Sequence, residues 1–294
     1  MRHRIAALAV VLAIAGCQRK TTPTPPVPTP HYVVGSPWQG EPGTWFYPKE
    51  QLDYHATGLA VVEQPHGQAL TADGEIYDAE AVAASHQTLQ LPSILHVTNL
   101  ENGRSILVRV NDRGPPGQGR LLALTKGTAR LLDIQPGSTT RIDIAMDTGL
   151  SRRLAEQSAS GPHLDIATAP VEGVQEQALG AAGMSGPATV QSPAPGSGVS
   201  SATDEARVPD HLPPRLQQGR PDPGALWIDA GQFNQRSYAD EIATSIGGSV
   251  RSDGQGRQIV YSVRAGPFQR TSDADAALDQ ARRAGVTGAR IIVE

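Results

Sequence analysis

The sequence predicts two small domains, an all-β barrel followed by an α+β domain of ferredoxin-like split plan, joined by a disordered linker. Three observations carry this. Between 54 and 145, strand-length apolar runs recur with Gly, Pro and Asn turns between them. From 146 to 223 periodicity gives way to Ala, Ser, Gly, Pro and Gln, a composition that cannot bury enough apolar surface to order itself. From 224 to 294, strand-like and helical segments alternate. Composition agrees: 294 residues suit about two domains. With only 4% aromatics, 31 glycines and 24 prolines, the chain cannot build one large core. A net charge of −4 gives no basic surface for nucleic acid.

Ahead of the barrel, Arg2, His3 and Arg4 precede the apolar run 5–15. That run is shorter than the roughly 20 residues of a membrane span and reads as a secretory leader. Ile14-Ala15-Gly16-Cys17 resembles a bacterial lipobox. The resemblance implies a leader over 1–16, a lipid on Cys17 and a membrane anchor. Gln18, in place of Asp, implies the outer membrane, facing the periplasm, although inner-membrane anchoring stays open. Cys17 is the only cysteine, so no intrachain disulfide can form. Residues 17–30 read as a Pro-rich tether. Residues 31–53 carry Tyr32, Trp38, Trp45, Phe46 and Tyr47, an apolar extension expected to pack on the barrel.

Within 54–145 the expected strands are 58–62, 94–99, 104–111, 120–125 and 139–145. Asn102-Gly103 marks a hairpin between the second and third. Short helices are expected over 78–84, capped by Asp78, and over 125–132, capped by Thr125. In the linker, 150–157 has some helical pattern. In 224–294, strands are expected at 225–231, 257–266 and 288–294. Ser237 with Asp240, and Ser272 with Asp275, look like capping boxes for two helices, the second ending before Gly285.

One stretch stands out chemically. In Val108-Arg109-Val110-Asn111-Asp112-Arg113-Gly114-Pro115-Pro116 an alternating strand ends in a carboxamide, a carboxylate and a guanidinium, and Gly-Pro-Pro fixes the turn that follows. Together with "TADGEIYDAEAVAASHQTLQLPS" (71–93) and "VTNLENGRSILVRVNDRGP" (97–115), it resembles the double-psi barrel of the rare lipoprotein A family. "DAGQF" (229–233) and "YSVRAGPFQRTSDADAAL" (261–278) resemble a SPOR domain, a peptidoglycan-binding module. Leader, barrel, linker and SPOR domain follow the family's order.

The resemblance implies a septal lytic transglycosylase acting on naked glycan strands, those stripped of stem peptides, without a cofactor. Asp112 and Glu75 match acid/base positions, with His86 orienting or assisting proton transfer. Asn111, Arg113, Thr71 and Tyr77 lie in the same motifs and are candidate substrate contacts. Gln232, Phe233, Arg264 and Phe268 are the candidate glycan contacts of the second domain, although at least one phenylalanine suits its core better. In the chemistry implied, a carboxylic acid protonates the glycosidic oxygen while the sugar's acetamido oxygen attacks the anomeric carbon. The muramic C6 hydroxyl then captures that carbon, leaving a 1,6-anhydro end. The reading requires Glu75, His86 and Asp112 to converge in one cleft.

The chain departs from the family pattern at 59–64, "LAVVEQ", where a Trp-Tyr pair is expected, and at 65–75, where a Phe and an Arg are lost. Ala123 stands where an Asp is expected. These departures leave a second reading, a septal lipoprotein that holds glycan without cutting it. The histidines His55, His66, His86 and His96 lack zinc-ligand spacing, and "GGSVRSDGQGR" lacks the ending of a phosphate loop.

Overall fold

The structure, a computed structural model, describes residues 26–64, 69–158, 160, 208–209, 211–254 and 259–294. The leader, Cys17 and most of the tether and linker therefore lie outside the described residues.

The extension forms a small hairpin, β1 (Trp38–Gln39) with β2 (Trp45–Phe46). Trp38 and Phe46 stack with centroids 4.9 Å apart, and the Trp38 indole N–H donates to the Gln87 carbonyl at 2.9 Å. The barrel follows: β3 (His55–Val62), β4 (Ala83–His86), β5 (Ser93–Asn99), β6 (Arg104–Asp112), β7 (Leu122–Leu124), helix α1 (Lys126–Leu131) and β8 (Thr139–Met146). The sheet runs β4-β7-β3-β8-β5-β6 and closes through β4 on β6. Two of its pairings, β3 with β7 and β4 with β6, are parallel.

Alternation explains the core. Leu95 and Val97, Ile106, Val108 and Val110, and Ile142 and Ile144 point inward from three neighbouring strands and are fully or almost fully buried. Each such side chain contributes roughly 1.5–3 kcal/mol of burial. In the hairpin loop Gly103 sits at φ +76, and a Cβ there would meet the Gly219 carbonyl oxygen at 2.4 Å, so only glycine fits.

Several expectations are corrected. Residues 78–84 are not helical. The Asp78 carboxylate accepts from the Glu80 N–H at 2.9 Å, making a local turn, and Ala83 already begins β4. That strand, AASH, has no polar alternation because both of its faces are buried. Helix α1 does form behind its Thr125 cap. The linker is ordered at both ends. Helix α2 (Thr148–Gln157), capped by Asp147, packs Leu154 with Ile94, Val208 and Leu212. Strand β9 (Gln217–Gln218) adds to the edge of β6.

The second domain runs β10 (Leu226–Phe233), α3 (Arg236–Ile246), β11 (Ser249–Asp253), β12 (Val260–Phe268), α4 (Thr271–Arg283) and β13 (Arg290–Val293). Its sheet order is β11-β12-β10-β13, antiparallel throughout. Strand β11 was hidden in the Gly-rich stretch because its side chains are mostly exposed. The two capping boxes do not form. Each helix starts two residues earlier than those caps would place it, at Arg236 and Thr271, with Gln235 and Arg270 as caps that make no side-chain capping bond; the Arg270 guanidinium pairs with Asp273 instead. This domain packs on the barrel: Leu59 joins its core, Thr57 exchanges hydrogen bonds with Val293 at 2.8 and 3.0 Å, and Arg120 pairs with Asp275 at 2.7 Å.

Candidate functional site

A cleft opens where β3, β4 and β6 end and the 71–78 loop crosses them. Its lining includes Glu63, Glu75, Tyr77, Ser85, Asn111 and Asp112. Asp112 reaches it through a register break: Ala84 pairs with Val110 but Ser85 pairs with Asp112, so Asn111 is the extra residue of a bulge. The bulge lets neighbours Asn111 and Asp112 both serve the cleft, which strict alternation forbids. Asp112 Oδ1 accepts from the backbone N–H of Ala72 at 2.9 Å and of Arg113 at 2.8 Å. Glu75 is held from the same strand: Arg109 forms an ion pair with it, its Nε donating to Oε2 at 3.2 Å, and Asn111 Nδ2 donates to that oxygen at 2.8 Å. Glu75 and Asp112 thus converge, about the same cleft and by different anchors.

Thr71 lies in the cleft wall, its hydroxyl donating to Asp73 Oδ1 at 2.6 Å and accepting from the Glu75 N–H at 3.1 Å. Its role is to shape the loop that carries Glu75. Tyr77 faces the cleft. Burial, then the charge and hydrogen bond of Glu63, then the charge of Asp112, push its phenol up to about 12, so it stays a neutral donor.

His86 does not join them. Ser85 faces the cleft, and the next residue along β4 points to the opposite face. There His86 is 2% exposed and sits edge-on to Tyr54, its Nδ1 accepting from the N–H of Thr88 and Leu89 at 3.1 and 3.2 Å. Burial, aided by the charge of Arg113, lowers its pKa to about 3. It is a neutral structural imidazole that ties the turn after β4.

Arg113 is also corrected. Its guanidinium is not among the cleft-lining groups and donates to the carbonyls of Leu89 at 2.5 Å and Val34 at 2.6 Å. It clamps the 31–53 extension to the barrel. In the second domain, Phe233 and Phe268 pack on the helix-covered core side, Phe268 because it pairs with core-facing Leu226. Phe233 also stacks edge-on with Tyr238 at 5.2 Å. Gln232 is exposed. Arg264 lies on the helix-free face, ion-paired with Glu294. That face, with Asp229 and Arg290, looks across a cavity of about 400 Å³ at Tyr54, His55 and Thr57 of the barrel.

Residues that sequence reasoning passed over complete the cleft. Arg109 reads as the solvent side of an alternating strand but is buried, drawn inward by Glu75. Asp73, in the same TADGE motif as Glu75, is fully buried, and its Oδ2 has no partner. Burial, then the neighbouring charge of Glu75, raise its pKa to about 7. Glu63 belongs to the 59–64 stretch, noted for what it lacks rather than for what it brings. His211 and Leu212 close one side of the cleft, from a stretch assigned to linker. Among the described residues no cluster of His, Cys, Asp or Glu is arranged to hold a metal.

Comparison with known proteins identifies the family. Residues 54–145 match the family model described as lytic transglycolase, and residues 222–291 match the SPOR domain. The endolytic peptidoglycan transglycosylase RlpA of Pseudomonas aeruginosa strain UCBPP-PA14 is 30% identical over 275 residues, covering 88% of this chain and 77% of that one. Its counterpart from strain PAO1 is 29% identical with 88% and 78% covered. RlpA of Escherichia coli K12 is 41% identical over 102 residues, 33% of this chain and 28% of that one. The crystal structure of the RlpA SPOR domain from P. aeruginosa aligns over 24% of this chain and 99% of its own, at 19% identity and a TM-score of 0.22. With both domain models in sequence and a relative matched across most of both chains, this chain belongs to the RlpA family of endolytic peptidoglycan transglycosylases.

Proposed function

We infer that this chain is a septal lytic transglycosylase of peptidoglycan, acting on glycan strands that lack stem peptides. The observation that carries the reading is the meeting of Glu75 and Asp112 at one cleft, each fixed by hydrogen bonds from β6 or its neighbouring loop. One carboxyl gives its proton to the glycosidic oxygen, whose bond to the anomeric carbon breaks. The substrate's acetamido oxygen bonds to that carbon, and a nearby carboxylate stabilises the positive charge that develops. The muramic C6 oxygen then displaces the acetamido oxygen, its proton passing back to the carboxylate. Atoms balance without water. Tyr77, a neutral phenol, and Asn111 are the hydrogen-bonding groups beside them.

The second domain provides a second grip on glycan, and the lipobox-like Cys17 suggests anchoring at the outer membrane, facing the periplasm. The test is incubation of the protein from residue 18 onward with amidase-stripped glycan, reading products by mass spectrometry. Expected are 1,6-anhydro ends, lost in Asp112→Asn and Glu75→Gln by a factor of roughly 10²–10⁴. Intact strands at high protein concentration overturn the cleavage reading, and sacculi that still bind the protein would then favour the glycan-holding alternative.

A further inference from the structure

The ends of β3, β7, β4 and β6 form one row. Val61 pairs with Ala123, Ala123 with Ser85, and Ser85 with Asp112. Paired residues share a face, so this row underlies the cleft, and at Ala123 it holds only a methyl group. Glu63 stands two residues beyond Val61 and so projects from the same face. Its backbone N–H continues the parallel ladder, donating to the Leu124 carbonyl at 2.7 Å, which fixes where the side chain starts. Its Oε1 accepts from the Ser85 hydroxyl at 2.8 Å. It also hydrogen-bonds Tyr77, whose ring feels the charge of Asp112 as well. A carboxylate therefore reaches the row from β3 where the neighbouring strand β7 offers none.

We propose that Glu63 is a positioning residue of the cleavage site, orienting the Tyr77 and Ser85 hydroxyls and placing a negative charge beside Asp112, in the part of the cleft that Ala123 leaves without an acid. The proposal rests on the cleavage reading above. Its charge matters because a like charge disfavours ionisation of any acid it faces and so raises the pH at which that acid titrates. Among the described residues, the other charged and titratable groups around the cleft are Asp112, Asp78, His211, Tyr77 and the Glu75–Arg109 pair.

The test measures the pH profile of strand cleavage by the full chain in detergent, with amidase-stripped glycan, for wild type, Glu63→Gln, Glu63→Asp and Tyr77→Phe, each checked for a native melting transition. Glu63→Gln is expected to lower the rate by roughly 10-fold or more and to move both limbs of the profile to lower pH. Glu63→Asp keeps the charge and leaves the limbs in place while losing rate through its shorter reach. Tyr77→Phe lowers the rate from the other end of the same bond, and serves if Glu63→Gln does not fold. A Glu63→Gln rate equal to wild type, or a rate loss with both limbs unmoved, overturns the proposal. Absence of cleavage by wild type overturns the cleavage reading instead. Ring-carbon NMR titration of Tyr77 then decides on Glu63: a phenol moving from about 12 towards 10 in Glu63→Gln upholds the coupling, and an unmoved phenol refutes it.

Discussion

Replacing Asp73 with asparagine tests the electrostatics beneath the loop that carries Glu75 most directly. Asp73 is fully buried, one carboxylate oxygen lacks a partner, and Glu75 lies beside it. Burial and that neighbouring charge raise its pKa from 3.8 to about 7. The sign follows from linkage: between these values the folded protein holds a proton that the unfolded chain has released, so stability falls as pH rises through the window. The penalty is absent below about pH 4 and complete above about pH 7. Three pKa units at 1.36 kcal/mol each make it about 4 kcal/mol. Asparagine keeps the acceptor for the Thr71 hydroxyl and the Glu75 amide and removes the ionisation. Its NH2 at the unpartnered position costs about 1–3 kcal/mol at every pH, which leaves the pH dependence untouched. Urea unfolding of wild type and Asp73→Asn at pH 4 and pH 8 measures the difference. The variant is expected to gain about 4 kcal/mol on wild type between the two pH values. A pH-independent difference would refute the reasoning, since it would mean that Asp73 ionises in the fold as it does in the unfolded chain.

Two further outcomes follow from the corrected residues. His86 stays neutral until about pH 3, so wild type loses stability as pH falls from 6.5, where the unfolded chain gains the proton, and His86→Gln should lack that component when urea midpoints are compared at pH 7 and pH 4. Arg113→Ala should destabilise the protein by about 1–3 kcal/mol and speed amide exchange at Val33 and Leu91, which bond each other at 2.7 and 2.8 Å behind the clamp. Lost glycan affinity with unchanged exchange would restore Arg113 as a substrate contact.

The barrel strands were legible where one face is buried and the other wetter, as in 139–146, because alternation then writes the fold into the residue order. Strand β4 escaped because closing the barrel buries both of its faces, and the exposed β11 escaped for the opposite reason. The turn at 78–81 was read as a helix because an Asp side chain that caps a helix caps a turn equally well. Leu154, Val208 and Leu212, in a stretch whose composition reads as linker, found a core only once the barrel offered Ile94.

Residue order alone was enough for the two domains, their succession, and the two motifs that each carry a cleft carboxylate. Their chemistry is local: a loop TADGE and a strand end NDRGP each carry one. Which neighbours share their cleft depended on how the strands pair. The bulge at Asn111 turned two consecutive residues towards it, the pleat of β4 turned Ser85 in and His86 out, and strand pairing brought Glu63 to Tyr77. Facing is a property of register between strands distant in sequence, and a shift of one residue reverses it, so no motif read along one chain can fix it.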